Sequence, residues 1–379
     1  MSATGHPTAS APPASELAGR LRESDFVRLV GATTADGLAG CGVLARTLDA
    51  LECPFQVTLA RLATDAARAT DADLTVAVGR ADATADLTVP GVERPASETV
   101  VDAAEAAGAH LDDDTLALAL AGAVSTGASE AIAERASEAG VERRPGVAVP
   151  GRDLADGLAH STLVHAPFSG DREAAAAFLA DHGFPTDATD LNDEGRRRLA
   201  SLVAVEAVGD DEVPPRGGEA VERALRSFAG GPVGTVGGYA DVLAAVARER
   251  PGTGVAAVLG HDVFGDAVAA WRDHAGRAHG TLRTADAGRY DGLFVVRADD
   301  APVDTVARLA HAYRSPEPVT LAATDGRAAV VADGRELDAT MRAAAGTVSG
   351  TAEATGTVGR ARFDGPAADF VTAFREAQP

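Results

Sequence analysis

Short apolar runs alternate with amphipathic stretches through the first third of the chain. Residues 26–30 (FVRLV), 56–60 and 74–78 (LTVAV) have the length and β-branched content of buried strands. Apolar positions at helical spacing predict helices over 37–51, 98–107, 114–123 and 129–139. Strands that alternate with helices indicate a mostly parallel sheet, whose ligands bind at the carboxyl ends of the strands.

The pattern changes twice along the rest of the chain. Residues 141–235 are mainly helical and end in the glycine-rich stretch GGPVGTVGG, at which we place a domain boundary. Beyond it the pattern predicts strands at 254–259, 292–297, 319–323 and 328–332, and helices at 238–248 and 302–312. The predicted organisation is a mobile tail (1–18), an α/β domain (19–140), a helical connecting region (141–235) and a smaller α/β domain (236–379).

Composition points to a protein adapted to high salt. Acidic residues outnumber basic ones 56 to 34, the net charge is -22, and every basic side chain other than histidine is arginine. Such a surface stays hydrated where salt screens carboxylate repulsion over a few ångströms. Because the acidity is a response to the solvent, it does not exclude nucleic acid as a partner.

Cysteine content and hydropathy favour a cytoplasmic location. Cys41 and Cys53 are too few for a disulfide framework and lack zinc-ligand spacing, so both are predicted as buried apolar residues. The strongest apolar stretch, 116–124, is too short to cross a bilayer, and the N-terminus does not have the pattern of a signal peptide. No membrane association is expected.

The segment after the first predicted strand, GATTADGLAGCGVLARTL, carries candidate chemistry. Its layout resembles the DHH phosphoesterase superfamily, specifically archaeal RecJ-like single-strand DNA exonucleases. That family has His-x-Asp-x-Asp-Gly here, and the last pair corresponds to Asp36 and Gly37. Ala32 stands in place of the histidine and Thr34 in place of the first aspartate.

The other metal ligands of the family are also replaced. The resemblance aligns its Asp-x-Gly with Ala77, Val78 and Gly79, and residues 81–97 contain no histidine for the Asp-His-His motif. Thr126 stands where a further aspartate follows a Gly-Ala pair. A two-metal hydrolytic centre, with Mn or Mg, needs several carboxylates and imidazoles, so hydrolysis is predicted to be lost.

Asp36 is the one retained candidate ligand, and it has two interpretations. An aspartate at the start of a helix of small residues is a good N-cap, which we favour; the alternative is a remaining metal ligand.

The resemblance extends to residue 375. Near the end, SGTAEATGTVGRARFDG stands where the family has a Gly-Gly-His loop that meets a phosphate or the 3′ side of the substrate strand. Gly350 and Gly356 are retained, and Thr351 replaces the histidine. The resemblance implies a backbone phosphate or nucleic-acid site here; a plain tight turn is the alternative. The fold class implied is a DHH-type parallel-sheet domain plus a smaller DHH-associated α/β domain, joined by a helical region.

Other polar residues are weaker candidates. A serine–histidine hydrolase would need contacts that sequence spacing cannot show, and the arginine clusters lack neighbouring aromatic residues for base stacking. His274 and His279 are expected to face solvent, since a spacing of five does not put both on one helix face. The other weak candidates are His160, Ser161, His165, His261, Asp262 and the arginines of 143–144 and 196–198.

Three functions follow. The first is a noncatalytic scaffold in DNA replication or repair, similar to the RecJ-related subunit that joins MCM and GINS, with GINS, MCM or an active RecJ-like paralogue as partner. The second is a working single-stranded-DNA exonuclease whose Mn or Mg site is rearranged. The third is a nucleotide or small-molecule binding module.

Overall fold

Two compact units make up the chain. The computed structural model describes residues 11–66, 71–128, 130–225 and 227–378. The first unit comprises 1–141 and 246–267, and the second comprises 142–245 and 268–379. The helical middle region and the last sheet therefore lie in the same unit.

Strands and helices are numbered in chain order. The strands are β1 (Val27–Ala32), β2 (Phe55–Ala60), β3 (Leu74–Val78), β4 (Leu87–Val89), β5 (Glu142–Arg143), β6 (Phe228–Ala229), β7 (Ala287–Tyr290), β8 (Leu293–Arg297), β9 (Val319–Thr324), β10 (Arg327–Ala332), β11 (Thr351–Thr355) and β12 (Val358–Arg362). The helices are α1 (Ala14–Glu23), α2 (Ala35–Ala50), α3 (Ala96–Ala106), α4 (Asp113–Thr126), α5 (Glu130–Glu138), α6 (Leu154–His160), α7 (Arg172–Asp181), α8 (Asp193–Val208), α9 (Arg216–Leu225), α10 (Val236–Glu249), α11 (Pro251–Val258), α12 (Phe264–Thr284), α13 (Val303–Tyr313), α14 (Asp338–Thr347) and α15 (Ala367–Ala377).

A parallel sheet forms the centre of the first unit. Its strand order is β2-β1-β3-β4, and all three pairs are parallel. β1 is one of the two inner strands and is almost fully buried, which explains its nearly continuous apolar sequence. Helix α2 packs against α3, α4 and α11, so the small residues of its sequence lie in a crowded layer. This is the parallel α/β arrangement that the sequence predicts.

The second unit is built on a mixed sheet in the order β11-β12-β10-β9-β8-β7. Its β8–β9 pair is parallel and its other pairs are antiparallel. Helices α14 and α15 share an apolar core with one face of this sheet. Residues of α6 to α9, α12 and α13 share a second core with the other face.

The strand predicted at 254–259 is wrong, because this segment is helix α11. Pro251 occupies the first turn of α11, where its fixed φ favours a helix. Gly254 brings the helix close to Leu38 of α2, and the Val258 carbonyl accepts a hydrogen bond from Arg46. A short apolar run does not by itself distinguish a buried strand from a buried helix.

Residues 14–18, which the sequence predicts as part of a mobile tail, are helical. Residues 1–10 lie outside the described part of the chain, but α1 begins at Ala14, and Leu17, Ala18 and Leu21 are buried. Leu17, Ala18 and Leu21 have the spacing of one helix face, but the proline-rich sequence before α1 obscured this signal. None of the described helices combines the length and the apolar character that crossing a bilayer requires.

The two cysteines have different environments. Cys41 is fully buried on α2, as predicted, and burial raises the pKa of its thiol to about 12. Cys53 is only half-buried, since it lies in the turn between α2 and β2 and contacts the carbonyl of Ser24. The prediction for Cys53 is therefore wrong.

Candidate functional site

The carboxyl ends of β1 and β3 meet the start of α2. Thr34 is the N-cap of α2, and its Oγ1 accepts a hydrogen bond from the Gly37 N–H at 3.0 Å. A side chain at Gly37 would lie 2.7 Å from the Ala32 carbonyl oxygen. Gly79, with φ of +70°, follows β3, and a side chain there would lie 2.8 Å from Gly37 Cα. This edge of the sheet is therefore closely packed.

Asp36 caps a helix, but not the one predicted. Its carboxylate crosses to the first turn of α3, where Oδ2 accepts from the Ala96 N–H at 2.8 Å and Oδ1 from the Ser97 N–H at 2.9 Å. The N-cap position of α3 is Pro95, whose side chain has no hydrogen-bonding group. Asp36, which is 4% exposed, supplies the missing acceptor from another helix. The expectation that it caps α2 is corrected, since Thr34 has that role.

Burial and hydrogen bonding act on Asp36 in opposite directions. Removal of the carboxyl from water raises its pKa above 3.8, and this is the largest effect. The hydrogen bonds from the start of α3 lower the pKa. Glu98, also buried, raises it further by repulsion, although Glu98 is paired with Arg94 at 2.5 Å.

These residues do not fit a two-metal centre. Both Asp36 oxygens are engaged by backbone donors, and Ala32, Thr34 and Ala77 provide no carboxylate or imidazole. Within the described ranges, no three or more histidine, cysteine, aspartate or glutamate side chains are grouped so that they could hold a metal ion. Such a centre needs several of these ligands.

Arg80 lies over the end of β1, a placement that the sequence analysis did not anticipate. It follows β3, and its Nη1 donates to the carbonyl of Ala60, the last residue of β2, at 3.2 Å. Since β1 lies between β2 and β3, the side chain spans the carboxyl end of β1. Arg80 is 5% exposed, and its Nε lies 4.0 Å from Asp82 Oδ2. The available signal was an arginine directly after the glycine of AVGR.

The segment 350–356 is not a loop. Thr351–Thr355 form β11, which pairs with β12 and is an edge strand. Gly350 fits because a side chain there would lie 2.6 Å from the Arg362 carbonyl oxygen, and Gly356, with φ of +57°, makes the turn into β12. The predicted loop is therefore wrong, while an anion-binding role for Gly350, Thr351 and Gly356 stays a prediction.

His274 and His279 are buried, contrary to expectation. Both lie on α12, where His274 is 1% exposed and His279 is 0% exposed. His274 Nε2 lies 2.8 Å from Thr305 Oγ1. His279 Nε2 lies 3.0 Å from the Ser161 carbonyl oxygen and therefore donates to it. The remaining nitrogen, Nδ1, is 3.0 Å from Nδ1 of His165, which donates the shared proton.

The serine–histidine pair has no support in the described residues. Ser161 Oγ accepts a hydrogen bond from the Leu163 N–H at 3.3 Å. His279 hydrogen-bonds to the carbonyl of Ser161 and not to its hydroxyl. His160 Nδ1 donates to the Asp156 carbonyl at 3.0 Å. Among the described residues, the Ser161 hydroxyl therefore has no imidazole base.

The predicted arginine clusters make contacts within the protein: Arg143 lies over the Phe228 ring, and Arg144 pairs with Glu142. Arg196 and Arg198 donate to the carbonyls of Ala188 and His182. Arg198 also lies over the Phe184 ring, with its guanidinium carbon 4.9 Å from the ring centroid. His261 and Asp262 follow α11 and are exposed.

The buried histidine pair predicts a loss of stability in acid. Burial, followed by neighbouring positive charge, lowers the pKa of His279 from 6.5 to about 3 and that of His165 to about 4. The unfolded chain therefore binds more protons below pH 6.5, and stability falls as the pH drops. For His279 alone we expect a loss of roughly 2 kcal/mol between pH 7 and 5, at about 1.4 kcal/mol per pKa unit.

Urea unfolding in molar KCl at both pH values measures this loss. His279→Gln should flatten the pH dependence, and His110→Gln, at an exposed position, should leave it unchanged. An unaltered pH dependence in His279→Gln contradicts the prediction.

The fold is the RecJ-like DHH fold, which confirms the fold class predicted from the sequence. The chain is similar to CDC45 from Entamoeba histolytica, with a TM-score of 0.61 at 9% identity and 96% of each chain covered. It is also similar to Mn²⁺-bound RecJ from Thermus thermophilus, with a TM-score of 0.52 at 15% identity. That alignment covers 98% of this chain but 55% of RecJ, so the chain spans about half of that protein.

A close relative then defines the family. The chain is 54% identical over 380 residues to "Uncharacterized protein rrnAC1427" of Haloarcula marismortui, with 100% of both proteins covered. Residues 285–376 match the family model described as the rrnAC1427 C-terminal domain. The chain belongs to the rrnAC1427 family.

Proposed function

We propose that this chain is a nonhydrolytic RecJ- and CDC45-like scaffold in DNA replication or repair. The observation that carries the proposal is that the protein's own side chains occupy the carboxyl ends of the strands. Both oxygens of Asp36 cap α3, and the Arg80 guanidinium lies over the end of β1. A buried arginine opposes binding of divalent cations beside it, because like charges repel strongly where water is excluded.

The proposed partners are a GINS or MCM protein or an active RecJ-like paralogue, with single-stranded DNA as a further ligand. The similarity to CDC45 over nearly all of both chains supports a scaffold, because it covers both units. The net charge of -22 and the Haloarcula relative support a salt-adapted cytoplasmic protein.

A nuclease assay tests the loss of hydrolysis. Labelled single-stranded DNA is incubated with the protein and Mn²⁺ in molar KCl, at a temperature where circular dichroism shows wild type and Asp36→Ala to be folded. We expect no degradation above the buffer control. Degradation by wild type that disappears in Asp36→Ala would support an exonuclease with a rearranged metal site, whereas equal degradation by both would indicate a contaminant.

Affinity purification from the native host tests the scaffold role. The tagged chain is expected to recover a replication or repair protein that stays bound in molar salt. Recovery of no such protein, from cells in which the tagged chain replaces the native one, counts against the proposal.

A further inference from the structure

The sheet of the second unit ends in two edge strands, β7 and β11. An edge strand presents backbone N–H and C=O groups with which another strand can pair, and long charged side chains hinder such pairing. β7 is protected in this way, because Arg289 pairs with Glu317 at 2.5 Å. The Arg375 guanidinium lies 4.0 Å from the centroid of the Tyr290 ring. That ring covers Gly288, where a side chain would lie 3.2 Å from it.

β11 has no comparable protection. It contains no lysine, proline or bulge, none of its residues is fully buried, and its outer side pairs with no other strand in the described part of the chain. The turn between β11 and β12 has two residues, so Thr355 and every second residue before it hydrogen-bond to β12. The N–H and C=O groups of Ala352 and Ala354 therefore point outward.

The sequence of β11, TAEAT, is the same in both directions. If two copies of this strand are antiparallel and related by a two-fold axis at Glu353, Ala352 of each copy lies opposite Ala354 of the other. These are the residues with outward backbone groups, so this register forms four hydrogen bonds between the copies. The same axis places Thr351 opposite Thr355, which is a favourable cross-strand pair. A two-fold interface must be complementary to itself, and this strand meets that requirement.

We propose that β11 pairs with β11 of a second copy of this chain, so that the two sheets become continuous. Ala352 and Ala354 allow the close approach, because their short side chains pack on the apolar core of the second unit. Molar salt screens the repulsion between two chains of net charge -22 over about 3 Å, so the pairing suits that solvent. The proposal does not depend on the scaffold function.

Glu353 is the one unfavourable residue at this interface. The two-fold axis places the two Glu353 side chains opposite each other, with Cβ atoms roughly 4.5–5.5 Å apart. Arg360 lies opposite Glu353 in the register of β11 and β12, on the side away from the second copy. Because like charges opposite each other destabilise a strand pair, Glu353→Gln should strengthen the association, most strongly at low salt.

Sedimentation equilibrium of the full chain in molar KCl tests the proposal. We expect a concentration-dependent dimer. Ala354→Pro should weaken the dimer roughly tenfold or more, since it removes one outward N–H from each copy and leaves the hydrogen bonds to β12 in place. Ala287→Pro is the matched control, because Ala287 has the corresponding outward position on β7, and it should associate as wild type does.

Hydrogen exchange on the wild-type chain needs no substitution, and it decides the question if Ala354→Pro does not fold. The amides of 351–355 should become protected as the protein concentration rises, whereas those of 287–290 should not. A wild-type chain that stays monomeric at every concentration would overturn the proposal and leave this edge to a strand of another protein. A dimer that Ala354→Pro does not weaken, or that Ala287→Pro weakens equally, would also overturn it.

Discussion

Asp36→Ala is expected to lower the free energy of unfolding by roughly 2–6 kcal/mol, since each of two buried N–H groups loses its acceptor at about 1–3 kcal/mol. Those groups belong to Ala96 and Ser97 at the start of α3. Pro95 cannot replace the lost acceptor, and α3 packs against α2, so water does not reach the site freely.

Urea unfolding in molar KCl measures the effect. Asp113→Ala is the matched control, because Asp113 is an exposed aspartate in the first turn of α4. It should change stability by less than about 0.5 kcal/mol. Asp36→Asn should fall between wild type and alanine, because its amide oxygen still accepts one hydrogen bond while its NH₂ faces the second N–H. A loss below about 1 kcal/mol in Asp36→Ala would show that Asp36 does not hold α3.

Gly79→Ala is expected to cost roughly 2–4 kcal/mol through backbone strain and overpacking. Gly79 has φ of +70°, and an added Cβ would lie 2.8 Å from Gly37 Cα. That contact is with backbone, so no side-chain rotation relieves it, and the start of α2 must move away from the strand ends.

Gly108→Ala separates the two contributions. Gly108 has φ of +82°, and an added Cβ there meets no atom within 4 Å, so this variant reports strain alone, at about 1–2 kcal/mol. Thermal unfolding of both variants gives the difference. Equal destabilisation would mean that the strand end and α2 are not closely packed at Gly79.

Asp36 and Arg80 together change the interpretation of the strand ends. In the sequence, Asp36 is the remnant of a ligand set, and Arg80 has no evident role. In the structure, Asp36 is the acceptor for α3, and Arg80 spans from β3 to β2 over β1. This edge of the sheet is therefore held by hydrogen bonds within the protein.

The sequence by itself determined the parallel sheet of the first unit and the strand, turn and helix that begin it. Buried strands appear in the sequence as short apolar runs, and helices with one apolar face appear as apolar residues at helical spacing. Both signals are carried by residues that are close together in the sequence. The α/β class and the positions of β1 to β3 follow from these local signals, whereas the DHH-type fold class was implied by the resemblance of the motifs.

Tertiary structure alone decided what the polar residues do. Asp36 caps a helix that begins 60 residues later, His279 is buried against His165, and Arg46 of α2 donates to the carbonyl of Val258. Each of these outcomes depends on which distant backbone or side-chain group completes a buried hydrogen bond or covers an apolar surface. Contacts between residues that are far apart in the sequence leave no periodic pattern in it, so they become visible only in the folded structure.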